Sequence, residues 1–122
     1  MRWLDIKPVP APRMVQSDRW RKRPAVLRYF AFKEEIALLK LELPEQIRLE
    51  FVLPMPRSWA RKKREDRRGG PHQQTPDLDN LVKAFLDAAL SEDSQVWAIE
   101  ARKTWGEAGR IGFEEVTDGK GL

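Results

Sequence analysis

The stretch Thr75-Pro-Asp-Leu-Asp-Asn80 puts two carboxylates, Asp77 and Asp79, at the start of an amphipathic segment. A helix beginning there needs one capping side chain; Thr75 or Asp77 would serve, with Pro76 fixing the first turn. A second aspartate inside that turn gains only about 0.3–1 kcal/mol from the helix dipole, which leaves open whether Asp79 is punctuation or a ligand. Asp79, Lys83 and Asp87 follow at i, i+4 and i+8, so a helix carries them on one polar stripe. As surface residues alone they would form a salt-bridge ladder worth about 0.2–0.5 kcal/mol per pair. Glu92 and Asp93 add two carboxylates just before the next apolar segment. Carboxylates that converge without histidine or cysteine make a hard-oxygen site, suited to Mg2+ with Mn2+ as a substitute. Beside a phosphodiester such an ion polarises the phosphoryl oxygen and supplies an activated water. Lys83, on the same stripe, would stabilise the charge that develops.

The remaining composition removes rival chemistries. The 122 residues contain no cysteine, so disulfides and thiolate metal sites are excluded, and one histidine, His72, so zinc sites and nucleases built on several histidines are excluded too. No G-x-S-x-G frame accompanies His72. No apolar run approaches the roughly 18–20 residues of a membrane span, and the N-terminus lacks a signal-peptide pattern. The expectation is a cytoplasmic protein with no membrane contact and no small-molecule cofactor. Net charge is +4, unevenly spread: residues 13–28 and 57–68 each carry +5, leaving −6 for the rest. Two arginine-rich runs on an otherwise acidic chain point to a polyanion, hence nucleic acid. The expected phosphate contacts are Arg13, Arg21 and Arg23 in the first run, and Arg57, Arg61, Lys62, Lys63, Arg64, Arg67 and Arg68 in the second. Trp20 and Trp59, within these runs, could stack on bases, although core packing is the commoner use of such residues. His72 is expected to be a loop residue near the DNA path and not a general base.

The elements that must position these groups can be outlined from periodicity. One α+β domain over residues 1–122 is expected, with a mixed sheet, two main helices and the order β-α-β-α-β-β. Residues 2–8 alternate as a strand, and a proline-rich basic loop covers about 9–24. From Ala25 to about Leu41, Leu27, Phe30, Ile36, Leu38 and Leu39 suggest an amphipathic helix. Ile47, Leu49, Phe51 and Leu53 alternate at period two and predict a strand. A second basic loop occupies about 54–76. Residues 78 to roughly 90 place Leu78, Leu81, Val82, Phe85, Leu86, Ala89 and Leu90 on one helical face. The segment SQVWAIEARKTW suggests a strand covered on both sides, RIGFEEV makes a last strand, and 117–122 are expected to fray. Both long loops are the basic ones, which is where function usually sits.

The segment PDLDNLVKAFLDA at 76–88, followed by EDSQV at 92–96, resembles the signature of the RusA family of Holliday-junction resolvases. VLPMPRSWARKKRE resembles the strand and basic segment that precede that signature in phage-type members, and PVPAPRMV resembles their N-terminal proline-arginine segment. The resemblance implies a homodimeric, Mg2+-dependent endonuclease that acts on branched DNA and resolves four-way junctions with paired nicks. It implies further that Asp77 and Asp79 bind metal, that Lys83 is the family's helix lysine and that Asp93 is its third essential aspartate. Glu92 stands where many members have another aspartate, as a second-shell or substitute ligand.

This chain is shorter than the family pattern between the helix and Asp93. With a helix reaching Leu90, the rise from Asp79 is roughly 16 Å, and three further residues return at most about 11 Å. Three solutions remain open: the helix ends near Asp87, Asp93 serves a partner subunit, or Asp87 or Glu92 takes its place. Two other functions compete. A restriction-type site would pair Pro76-Asp77 with Glu100-x-Arg102, but lacks the final lysine. A non-catalytic branched-DNA-binding module would use the basic loops equally well, yet has no need of carboxylates beside phosphates.

Overall fold

The alternation of QIRLEFVLP produces β2 (Gln46–Pro54), the strand around which the molecule is organised. Its side chains at 47, 49, 51 and 53 all turn to one face and are buried. The sheet has four strands in the order β1-β4-β2-β3, with β1 at Arg2–Leu4, β3 at Ala98–Gly106 and β4 at Arg110–Glu115. β2 pairs antiparallel with β4 and parallel with β3. A parallel pair needs a crossover, which α3 (Leu78–Ala89) supplies. The computed structural model describes residues 1–12, 23–90 and 95–116. The first basic loop, Trp20, Glu92, Asp93 and the 117–122 tail expected to fray therefore lie wholly or largely outside the described residues.

Two helices cover the apolar face of the sheet. α3 buries Leu81, Ala84, Phe85, Leu86 and Ala88. The Phe85 ring meets Phe51 edge-on at 6.4 Å and lies 6.1 Å from Phe113. Beside it, α1 (Pro24–Leu38) buries Val26, Tyr29, Phe32 and Ile36. This corrects the face expected from sequence: of the five residues chosen there only Ile36 is buried, while Leu27, Phe30, Leu38 and Leu39 are exposed. AVLRYFAF is apolar in almost every direction, so its periodicity selects no face and packing decides.

The opposite face of the sheet is polar. Arg48 reaches Glu100 at 3.1 Å and Glu114 at 2.8 Å, and Arg102 reaches Glu50 at 2.8 Å. Hydrogen bonds from Arg48 and the chain's amino terminus hold the Glu114 carboxyl below its ordinary range. β3 is thus an edge strand with one polar face, not a strand covered on both sides. β1 is also shorter than expected, and the second basic loop contains a helix, α2 (Arg61–Arg67). RKKREDR consists mainly of good helix formers, and Arg61 pairs with Glu65 one turn on at 3.0 Å. The fold is α+β with a mixed sheet, as expected, and the order gains one helix: β-α-β-α-α-β-β.

A small second cluster closes the far end of β3. Trp59 and Trp105 stand 4.7 Å apart, and the His72 ring lies 4.1 Å from Trp105. The turn after α2 needs Gly69, whose φ of +78° is a left-handed conformation, and its N–H bonds the Trp105 carbonyl at 2.8 Å. His72 is buried at 6% exposure, so it packs in the fold and does not lie open beside a DNA path. Its backbone N–H bonds the Lys103 carbonyl, and its Nδ1 has no hydrogen-bond partner among the described residues. Burial, and secondarily the Lys103 charge, lowers its pKa from 6.5. The unfolded chain therefore binds the extra proton more readily, so this contribution to stability is complete above 6.5 and declines as pH falls below it. The melting temperature is expected to drop between about pH 7.5 and pH 5.5, and less steeply in His72→Phe. Equal slopes in calorimetry of the two proteins would contradict this.

Candidate active site

Asp77 occupies the N-cap position of α3 in an extended conformation, and its carbonyl accepts the first intrahelical bond from Leu81 at 3.2 Å. Its carboxylate makes no capping hydrogen bond. Asp79, in the first turn, accepts the N–H of Asn80 at 2.9 Å and has no other partner among the described residues. Both side chains are exposed. The helix thus leaves the Asp77 carboxylate without a hydrogen-bond partner among the described residues, and the capping role considered for Thr75 or Asp77 is filled by neither side chain.

Two contacts fix where this helix begins. From β3, the Lys103 ammonium donates to the carbonyl of Gln74 at 2.6 Å and to that of Pro76 at 2.8 Å. The Thr75–Pro76 peptide between them is cis. From the other side, the N–H of Ala11 bonds the Asn80 carbonyl at 3.1 Å. The segment between Gln74 and Asn80 is therefore tied to the sheet and to the N-terminal arm through backbone groups, and its acidic side chains make no ion pair among the described residues.

Two clefts flank the start of α3. Asp77 and Asn80 line one of about 530 Å³ together with Pro8, Pro10 and Arg28. Asp79, Lys83 and Asp87 line the other, of about 720 Å³, above Ile99 and Ala101 of β3. The predicted stripe exists, but it is not a salt-bridge ladder. Lys83 has no ion-pair partner among the described residues, and Asp87 accepts the Tyr29 hydroxyl at 3.2 Å. Burial, reinforced by the Asp87 charge and hydrogen bond, raises the Tyr29 pKa to about 12.

α3 runs to Ala89, two residues past Asp87, with Leu90 already extended as its C-cap, and Asp93 lies outside the described residues. Among the described residues no three acidic or imidazole side chains gather at one point. Two exposed carboxylates nevertheless suit Mg2+, which is commonly held by one or two carboxylates with waters and substrate phosphate completing its shell. The restriction-type alternative fails on geometry: Glu100 and Arg102 lie on the polar face of the sheet, paired with Arg48 and Glu50, away from α3.

The basic residues divide into two groups. Arg64 and Arg68 both bind Glu107, and Arg64 also donates to the Pro56 carbonyl at 2.9 Å. These bonds, Arg68's first, lower the Glu107 pKa. Lys63 lies 4.5 Å from the centre of the Trp59 ring. Arg57, Lys62 and Arg67 are exposed and carry no partner among the described residues. Arg23 is the N-cap residue of α1, and Arg13 and Arg21 lie outside the described residues.

Residues 7–114 match the family model for the endodeoxyribonuclease RusA. The chain belongs to the RusA endodeoxyribonuclease family. No curated protein matches it. The RusA match starts at Lys7, on the lip of the first cleft, and ends at Glu114 in β4, so it contains both clefts and the acidic start of α3. Within the matched segment Asp77 and Asp79 are exposed, and Lys83 has no ion-pair partner among the described residues.

Sequence reasoning missed Lys103. Its signal was present: Trp97, Ile99 and Ala101 alternate on one face of the segment, and a lysine is the next residue in that series. Losing its two charge-assisted bonds is expected to cost about 1–3 kcal/mol in Lys103→Met. Amides 74–80 should then exchange faster with solvent while those of β2 keep their protection. Unchanged exchange across 74–80 would show that the loop is held by something else.

Proposed function

We propose that this protein is a Mg2+-dependent endodeoxyribonuclease that, as a homodimer, resolves four-way DNA junctions by paired phosphodiester hydrolysis. The observation that carries the proposal is the pair Asp77 and Asp79 at the positive end of α3, with no capping bond from Asp77 and, among the described residues, no ion pair at either aspartate or at Lys83, one turn from Asp79. The two aspartates would hold the ion, Mn2+ substituting for Mg2+. When bound, it supplies Lewis-acid polarisation of the phosphoryl oxygen and a water of lowered pKa. Lys83 donates hydrogen bonds to the oxygens on which negative charge grows. Arg57, Lys62 and Arg67 meet backbone phosphates and fix the duplex arm, with Arg61 and Lys63 beside them. Arg64 and Arg68 position α2 through Glu107.

Asp93 is assigned as a third acidic group, delivered by the partner subunit, with Glu92 as a second-shell ligand. With α3 extending to Ala89, a route within one subunit would need residues 90–93 almost fully extended, roughly 14 Å against a rise of about 15 Å from Asp79. Two coordinated nicks on a two-fold junction need two sites related by a two-fold axis. Trp97 and Ile99, exposed beside the second cleft, offer apolar surface for the partner. A purely DNA-binding role fits less well, since unneutralised carboxylates beside phosphates oppose binding.

Wild-type protein with Mg2+ is expected to cut a synthetic four-way junction into two nicked, ligatable duplexes. Asp79→Asn should lower the rate at least about a hundredfold while still binding the junction. Equal cutting by the variant would remove Asp79 from the chemistry. Binding without cutting by either protein would favour the non-catalytic reading.

A further inference from the structure

The first cleft has features that metal and phosphate binding do not use. Its volume of about 530 Å³ lies within the range that encloses a small organic ligand. Much of its lining is apolar: Pro8, Val9 and Pro10 from the N-terminal arm, Leu53 from β2 and Pro76. Such a surface suits the flat face of a ring and not a phosphate. The arm is held in place by the bond from Ala11 N–H to the Asn80 carbonyl, so this part of the cleft is built into the fold.

Its polar groups are few and unengaged. The side-chain amide of Asn80 is half-buried, lines the cleft and has no partner among the described residues. An amide offers one acceptor and two donors, which matches the hydrogen-bonding edge of a nucleobase. Lys7 and Arg28 also line the cleft, and neither has an ion-pair partner among the described residues. Asp77 lies on the same lining, and Asn80 and Lys83 share a smaller adjoining cleft of about 280 Å³. The first cleft thus adjoins the carboxylate and the lysine of the proposed site.

We propose that this cleft receives one nucleobase turned out of the stack beside the scissile phosphate. The proline and leucine surfaces hold its faces, Asn80 reads its edge, and Lys7 and Arg28 meet the flanking phosphates. This rests on the nuclease reading above and adds a source of selectivity to it. Extruding a base is least costly where it lacks a stacked or paired neighbour. A branch point supplies such bases and continuous duplex does not. Selection of junctions and preference for particular bases then arise at one site.

The test uses four-way junctions carrying 2-aminopurine at successive positions around the branch point, bound to the full-length protein with metal chelated. A several-fold rise in fluorescence is expected at one position next to the nick and not elsewhere. Pro10→Trp, which fills the cleft, should abolish the rise and slow cleavage about tenfold. Asn80→Leu, similar in volume, should keep the rise and lose discrimination among bases at that position. Circular dichroism would show that both variants are folded. Flat fluorescence at every position with a wild-type protein that cuts normally would overturn the proposal, as would normal cutting by folded Pro10→Trp. Failure of the nuclease reading is separate: a fluorescence rise without cutting in Mg2+ would leave the base pocket standing in a protein that only binds.

Discussion

A lysine facing the apolar side of a sheet has few ways to satisfy its ammonium, and Lys103 uses two backbone carbonyls, those of Gln74 and Pro76. This pair of bonds is the constraint on which the rest of the acidic region depends. It joins the edge strand β3 to the residues just before α3 and decides where the helix starts. Because the loop is held through its main chain, the side chains of Asp77 and Asp79 need not hold it. A capping interaction from Asp77 would have used the carboxylate proposed to bind metal.

The same constraint links the two clefts. β2 and β3 are parallel, so α3 must run back along the sheet between them, with its first turn over the end where Lys103 lies. The N-terminal arm then closes on that turn through Ala11, which makes the wall of the first cleft. The second cleft lies between α3 and the open edge of β3, where Ile99 is exposed and Lys83 has no ion-pair partner among the described residues. Asp77 and Asp79 thus stand two residues apart at one helix start, Asp77 lining the first cleft and Asp79 the second, and the proposed ion would lie between them. In the proposed reaction this places a phosphate between a pocket for its base and a surface for the partner subunit.

Strong local patterns were legible in the sequence. The alternation of Ile47, Leu49, Phe51 and Leu53 and the apolar stripe of α3 each had one physical solution, and both form as expected. The acidic start of α3 was legible for the same reason, since helix boundaries and stripes follow from residue spacing. α1 was not, because a segment apolar on most sides leaves the choice to its neighbours. α2 was hidden by its charge: seven polar residues have no apolar stripe, and the helix forms through propensity and the Arg61–Glu65 pair. Lys103 and His72 depended on tertiary context. Whether a lysine meets water or two carbonyls, or a histidine lies open or beneath a tryptophan, is decided by residues distant in the chain.

The central claim is that one helix start presents two carboxylates to a single divalent ion. Anomalous diffraction from crystals grown with Mn2+ tests it most directly. A peak is expected within about 2–2.5 Å of carboxylate oxygens of both Asp77 and Asp79. A peak at other residues, or none at a Mn2+ concentration that supports cleavage, would contradict it.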